Sequence, residues 1–197
     1  MDIYKVLKKQ RKSYKRFMLF MGFIFLLLPV VLWISKRFDL FFIIYLCIIE
    51  ILILMAVLIR YNEEYLKFHV NEDKLTVAIA GGRIKYRILC SKVAIIHTIP
   101  EEKNFDILII TKSKFRNKRL RIVTKKVLDK FKDVEHYYNK VKMPNEGEYY
   151  YFLVRRGGAK KYLLLDTLFK YCMNAVYTEN SIQHIKEYRK SNKSKTS

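Results

Sequence analysis

Two long apolar runs near the start of the chain constrain everything that follows them. Residues 17–34 (FMLFMGFIFLLLPVVLWI) carry no charged side chain, and residues 40–59 (LFFIIYLCIIEILILMAVLI) carry a single one, Glu50. At about 1.5 Å of rise per residue, a helix of about 18–20 apolar residues crosses a hydrocarbon core of about 30 Å. Only Ser35-Lys36-Arg37-Phe38-Asp39 stands between the runs. A linker that short permits a turn and no folded unit, so the pattern predicts a transmembrane α-hairpin with spans over about 17–34 and 40–59.

The flanking charge orients the hairpin. The basic segment 1–16 holds Lys5, Lys8, Lys9, Arg11, Lys12, Lys15 and Arg16 against Asp2, whereas the inter-helix turn holds only Lys36 and Arg37 beside Asp39. Excess Lys and Arg stays on the cytoplasmic side. The expected topology is therefore an inner (plasma) membrane protein with two spans and both termini cytoplasmic. A signal peptide also begins basic and turns apolar, but no small-x-small cleavage site follows here and a second full span does. The three cysteines, Cys47, Cys90 and Cys172, have no C-x-x-C spacing. They are read as buried thiols of a reducing compartment, and neither a disulfide framework nor a zinc site is expected.

Glu50 falls near the middle of the second span, where a charged carboxylate costs about 2.5 kcal/mol or more. Folding the hairpin about Arg37 sets it at the depth of about Gly22 to Phe25 on the first helix. Gly22 offers close approach, and Pro29 frees a backbone carbonyl. Glu50 and Gly22 are accordingly the candidate intramembrane contact, within the hairpin, across a homodimer, or with another membrane subunit.

From Glu63 onward the pattern changes from helical to alternating. Strands are expected at 65–70, 74–80, 83–89, 93–99, 106–111 and 119–124, with turns at Asn71-Glu72-Asp73, Gly81-Gly82 and Glu101-Glu102-Lys103-Asn104. Their spacing suits an antiparallel meander. Residues 125–141 then place Val127, Leu128, Phe131, Val134, Tyr138 and Val141 on one helical side, with Thr124 as a possible N-cap and Met143-Pro144-Asn145-Glu146-Gly147 as the stop. A smaller block follows over 147–190: a hairpin of strands 149–154 and 161–165 about Gly157-Gly158, and a helix from Asp166 or Thr167 to about Tyr188, interrupted near Thr178-Glu179-Asn180. Residues 191–197 form a polar tail.

A two-span hairpin followed by strands 65–79 with their Asn71-Glu72-Asp73 turn, Gly82, strand 93–99, and 107–111 before a helix resembles the membrane-anchored bacterial PH-like domain proteins. The likeness covers about residues 62–141 and rests on the strand pattern, with no diagnostic residue. It implies an α+β fold in which a strongly bent β-meander, a PH-like split barrel, is closed by amphipathic helices, and it implies an adaptor. Residues 147–190 go beyond that pattern as an accessory hairpin and helix.

Net charge is +21. Lys112, Lys114, Arg116, Lys118, Arg119, Arg121, Lys125 and Lys126 form a stretch without an acid. Held beside an inner leaflet, such a stretch has anionic phospholipid head groups as its nearest negative partner, at about 1 kcal/mol per basic residue within roughly a Debye length. Nucleic acid is the competing partner, since Tyr149-Tyr150-Tyr151-Phe152 lies near Arg155-Arg156 and Lys160-Lys161. No recognised nucleic-acid motif supports it, and alternation along one strand sends part of that aromatic run into a core.

No catalytic constellation stands out. His69, His97, His136 and His184 are isolated, His97 lies in an apolar strand, and the Gly-Gly pairs suit turns better than phosphate loops. Glu101, Glu102 and Asp106 read as an acidic turn. No cofactor or metal is expected. The sequence therefore points to a non-enzymatic membrane adaptor presenting a basic domain to a protein partner, a second copy or anionic lipid. The alternative is a small structural subunit of a transporter or secretion machine, held through the hairpin and Glu50.

Overall fold

The computed structural model describes residues 3–36, 39–101, 104–143 and 145–193. Asp2, Arg37 and Phe38 of the inter-helix turn, Glu102 and Lys103 of the acidic turn, Pro144 of the helix stop, and residues 194–197 of the tail lie outside them. The chain is α+β, with two long apolar helices at its N-terminus. Helix α1 (Ile3–Ile34) starts well ahead of the first apolar run, so the basic segment is helical and continuous with it. Helix α2 (Leu40–Glu64) is followed directly by the first strand. Both helices are long and apolar enough to cross a membrane, and apart from Ile53 of α2 the side chains of the two apolar runs are half-buried or exposed. Within the chain Gly22 faces open space: a Cβ there would meet nothing within 4 Å.

Three strands follow, β1 (Leu66–Asn71), β2 (Lys74–Ile79) and β3 (Ile84–Leu89), in an antiparallel meander. The second turn needs its glycines, because Ala80, Gly81 and Gly82 all have positive φ (54°, 67° and 82°). The chain then leaves this sheet. Strands β4 (Val93–Pro100), β5 (Phe105–Thr111), β6 (Arg121–Ile122), β7 (Tyr150–Val154) and β8 (Val176–Tyr177) form a second sheet in the order β6-β7-β5-β4-β8. The single six-strand meander is thus corrected to two sheets. Strand β7 lies between β5 and β6, and β8 joins β4 in parallel.

The helices also differ from expectation in detail. Residues 125–141 break at Phe131 (φ −123°, ψ 70°) into α3 (Lys125–Lys130) and α4 (Lys132–Val141). The strand expected at 161–165 is helical, within α5 (Lys160–Tyr171). Tyr162, Leu165, Leu168 and Cys172 recur at helical steps and are buried, and Leu and Lys prefer helix to strand. Gly157-Gly158 therefore turns a strand into a helix and closes no hairpin. The last helix, α6, spans Glu179–Lys193, so the interruption near Thr178 widens to include β8, and the start of the polar tail is helical.

The five-stranded sheet is covered on both faces. Ile95, Leu108 and Ile110 pack against Val134 and Tyr138 of α4, while Ile96, Ile107 and Ile109 face a larger core shared with the three-stranded sheet, α5 and α6. Two-sided burial explains why β4 and β5 read as nearly continuous apolar runs. Each buried Ile or Leu there contributes about 1.5–3 kcal/mol. The larger core also contains Ile3, with no exposed surface, and Leu7.

A locked joint ties α1 to the domain. Gln10 Oε1 accepts a hydrogen bond from the Ala159 backbone N–H (2.8 Å), and Gln10 Nε2 donates to the Glu64 carboxylate. The Gly157 N–H donates to the Glu63 carbonyl at 2.8 Å, and Lys160 Nζ to the Glu64 carbonyl at 3.2 Å. The Ile3 N–H reaches Ser191 Oγ on α6 at 3.0 Å.

Candidate functional site

A cluster of basic side chains lies where the two sheets meet. Strand β3 ends the three-stranded sheet and offers an open edge. The segment 112–120 runs along that edge and is fastened to it twice. Asn117 accepts from the Arg87 N–H (3.1 Å) and donates back to the Arg87 carbonyl, and Arg119 Nη1 donates to the Arg83 carbonyl at 2.7 Å. Phe115 and Arg116 take positive φ (21° and 50°) to make the bend. With Leu120 and Asn117 buried beneath it, this segment carries Lys118 and Arg119 to the mouth between the sheets, and Arg121 follows on β6.

Arg155 and Arg156 arrive from the other side, at the end of β7. Together the five cations border a cleft of about 580 Å³ floored by Ile79, Ile84, Tyr86 and Phe152, and no carboxylate among the described residues lines it. The Tyr86 and Phe152 rings stack across the two sheets with centroids 4.3 Å apart. Arg155 Nε has a long contact of 3.7 Å to Asp106. Asp106 itself is claimed by the buried Lys161, whose Nζ lies 3.2 Å from it and 2.9 Å from the Arg155 carbonyl. Lys118, Arg121 and Arg156 form no ion pair among the described residues.

The expected basic stretch is thus divided. Lys118, Arg119 and Arg121 come together with Arg155 and Arg156, which the charge run did not include. Lys112, Lys125 and Lys126 fall at the opposite end of β7, where the Val123 N–H bonds the Tyr149 carbonyl. Lys112 is already engaged: its Nζ lies 2.7 Å from Glu146, which also accepts from the Tyr149 hydroxyl. Those two hydrogen bonds, Lys112's first, lower the Glu146 carboxyl to about 2. Burial, then the Glu146 contact, pushes the Tyr149 hydroxyl up to about 12. Lys114 lies 5.9 Å over the Tyr150 ring, Arg116 occupies the bend, and Lys125 and Lys126 open α3, both exposed.

The other singled-out residues have structural surroundings. His97 is buried, with Nδ1 3.0 Å from Thr178 Oγ1, which in turn lies 3.1 Å from Ser181 Oγ. This chain ties β4 to the start of α6, and burial, against the opposing Asp133 charge, lowers the His97 pKa and favours the neutral ring. Cys90 and Cys172, distant in sequence, are buried neighbours in one core, and the Cys172 thiol is raised by its contact with Cys90 and by burial. Among the described residues no group of three His, Cys, Asp or Glu side chains is placed to hold a metal ion. Glu50 is half-buried on α2, and its carboxylate makes no ion pair among the described residues.

The Arg155-Arg156 pair stood out in the sequence only as a candidate nucleic-acid contact, apart from the basic stretch it joins. One feature escaped the sequence reading. The role of α1's first turns was legible as Ile3, Val6, Leu7 and Gln10 at helical spacing, hidden among lysines. Comparison with known proteins gives no match to a family model, to a curated protein or to a solved structure.

Proposed function

We propose that this chain is a non-enzymatic membrane adaptor: a two-span hairpin of the inner membrane, both termini cytoplasmic, that holds a basic domain against anionic lipid and presents it to a protein partner. The observation that carries the reading is the continuity of α1. One helix has its first turns in the domain's core and its remaining length unaccompanied by the rest of the fold, so the domain cannot swing free of the apolar segments. A rigid joint keeps the same surface facing the bilayer and raises its effective concentration there. The excess of Lys and Arg before residue 17 supports the cytoplasmic assignment. A PH-like reading of the domain is supported by the β1-β2-β3 meander facing a larger sheet with helical closure. Strands β7 and β8 and the contribution of α1 are additions to that pattern.

The test uses the full chain, because removing α1 removes part of the core. A fluorophore at a cysteine placed at Lys118 is followed in vesicles containing spin-labelled lipid. Quenching should be strong with 30% phosphatidylglycerol and fall in pure phosphatidylcholine or at high salt. Equal quenching in both bilayers would remove the lipid half of the proposal.

A second reading, a small subunit of a larger membrane complex, is favoured by Glu50, a carboxylate with no ion-pair partner among the described residues on a helix whose apolar surface is exposed. Glu50→Gln and Glu50→Leu should leave an adaptor in place and release a subunit from its complex on blue-native gels.

A further inference from the structure

We propose that the cleft between the two sheets is a binding site for one phosphate-bearing head group, with Arg155 and Arg156 as its principal ligands and the Tyr86–Phe152 floor taking the apolar part next to the phosphate. The proposal rests on the membrane-adaptor reading and sharpens it, from a charged surface to a site that holds a single lipid.

Position is the first argument. The Gly157 N–H bonds the Glu63 carbonyl at 2.8 Å, so Arg155 and Arg156 sit beside the end of α2. Glu63 follows the last apolar residue, Ile59, by about one helical turn, or about 6 Å. The head-group layer of each leaflet is about 5–8 Å deep. The two arginines are therefore at head-group level, and the backbone there has little freedom. Gly157 has φ +107°, and a Cβ on it would come within 2.5 Å of Leu66.

Charge is the second. Five cations border one cleft that no carboxylate among the described residues lines, an arrangement whose mutual repulsion an anion relieves. Guanidinium forks donate in pairs to phosphate and carboxylate oxygens alike, and phosphate is the anion that every phospholipid supplies at head-group depth. Arg119 has spent only one donor on the Arg83 carbonyl, and Arg156 has no ion pair among the described residues. Shape is the third: the volume of about 580 Å³ lies within the usual range of ligand pockets. Ile84 and Tyr86, half-buried over the core residues Ile79 and Phe152, give the cleft an apolar floor that suits the glycerol and first methylenes of a phospholipid.

The experiment releases full-length protein from nanodiscs of phosphatidylcholine with 10% phosphatidylglycerol into a native mass spectrometer. The expected result is one phosphatidylglycerol retained per chain, reduced at least tenfold in Arg155→Gln/Arg156→Gln and unchanged in Lys125→Gln/Lys126→Gln. Inorganic phosphate and glycerol phosphate, added at millimolar concentration, distinguish the source. If they displace the lipid completely, or bind equally in pure phosphatidylcholine, a soluble phosphate compound replaces the lipid as occupant. Equal retention in both double variants would overturn the proposal, and Arg156→Gln alone guards against misfolding. The quenching test decides the wider reading separately: if quenching still follows phosphatidylglycerol while retention does not depend on the arginines, only the specific site fails.

Discussion

Helix α1 is one continuous element with two environments. Its first turns bury Ile3 and Leu7 in a core of sheet and helix side chains, whereas Leu19, Phe20, Phe23 and Leu26 farther along are 60–75% exposed to whatever surrounds the chain. The same apolar chemistry is spent on folding at one end and left unspent at the other. A helix that served only as an anchor would need nothing buried at its start, and a helix that served only the domain would have no reason to continue to Ile34. The difference shows that the junction between domain and hairpin is part of the fold.

The largest expected effect comes from the buried end. Ile3→Asp/Leu7→Asp should cost about 4 kcal/mol or more, because charge enters an apolar core, and should abolish the cooperative unfolding of residues 66–193 in detergent. Phe23→Ala, at the other end of the helix, should leave that transition where it is. An unchanged transition in both would mean that the first turns are not core. Next is Gly157→Ala, where positive φ combines with the clash against Leu66. About 3 kcal/mol is expected, read as a lowered Tm and faster hydrogen exchange at residues 157–161, next to the Gln10 joint.

A smaller effect is expected at Asp166, buried on α5 between Arg189 (2.7 Å) and Lys170 (2.8 Å). Burial raises its pKa, but the two hydrogen bonds outweigh burial and hold the carboxyl below its ordinary 3.8. A depressed pKa contributes stability above the unfolded value, which is lost as pH falls through the folded one. Asp166→Asn should therefore destabilise by about 1–2 kcal/mol at pH 7, and the gap to the parent should close below pH 4. A constant gap down to pH 2 would contradict this. Smallest, a water-soluble maleimide should find no reactive thiol in intact membranes, Cys47 alone once detergent replaces lipid, and Cys90 and Cys172 only on unfolding. Early labelling of Cys90 would show that the core opens.

How much of this was legible follows from physical range. The two apolar helices announce themselves by composition, β1 to β3 by alternation and turn residues, and β4 and β5 as short apolar runs between turns, because those signals are local. The assignment of strands to sheets is not local. Nothing in Tyr150–Val154 says that it pairs with β5 and displaces Arg121–Ile122 to the edge. The stretch 161–165 misled because Gly157-Gly158 suggests a hairpin, while the deciding helical partners, Leu168 and Cys172, lie beyond the window of a strand. The basic stretch was visible as a run, but a run is not a surface. Only tertiary pairing could separate Lys118, Arg119 and Arg121 from Lys125 and Lys126 and bring Arg155 and Arg156 to the first group.

The bond between the Ile3 N–H and Ser191 Oγ spans 188 positions, nearly the whole chain. A ribosome makes α6 long after α1, so the first turns of α1 must wait, exposed, until α6 has emerged. On the two-span reading proposed above, they must also wait on the same side of the membrane as that sheet. A chain in which only one of the two apolar helices crossed the bilayer would leave Ile3 and Leu7 across the membrane from the sheet they complete. Biogenesis is thereby made conditional, since topology errors become folding errors, open to the proteases that remove unfolded protein.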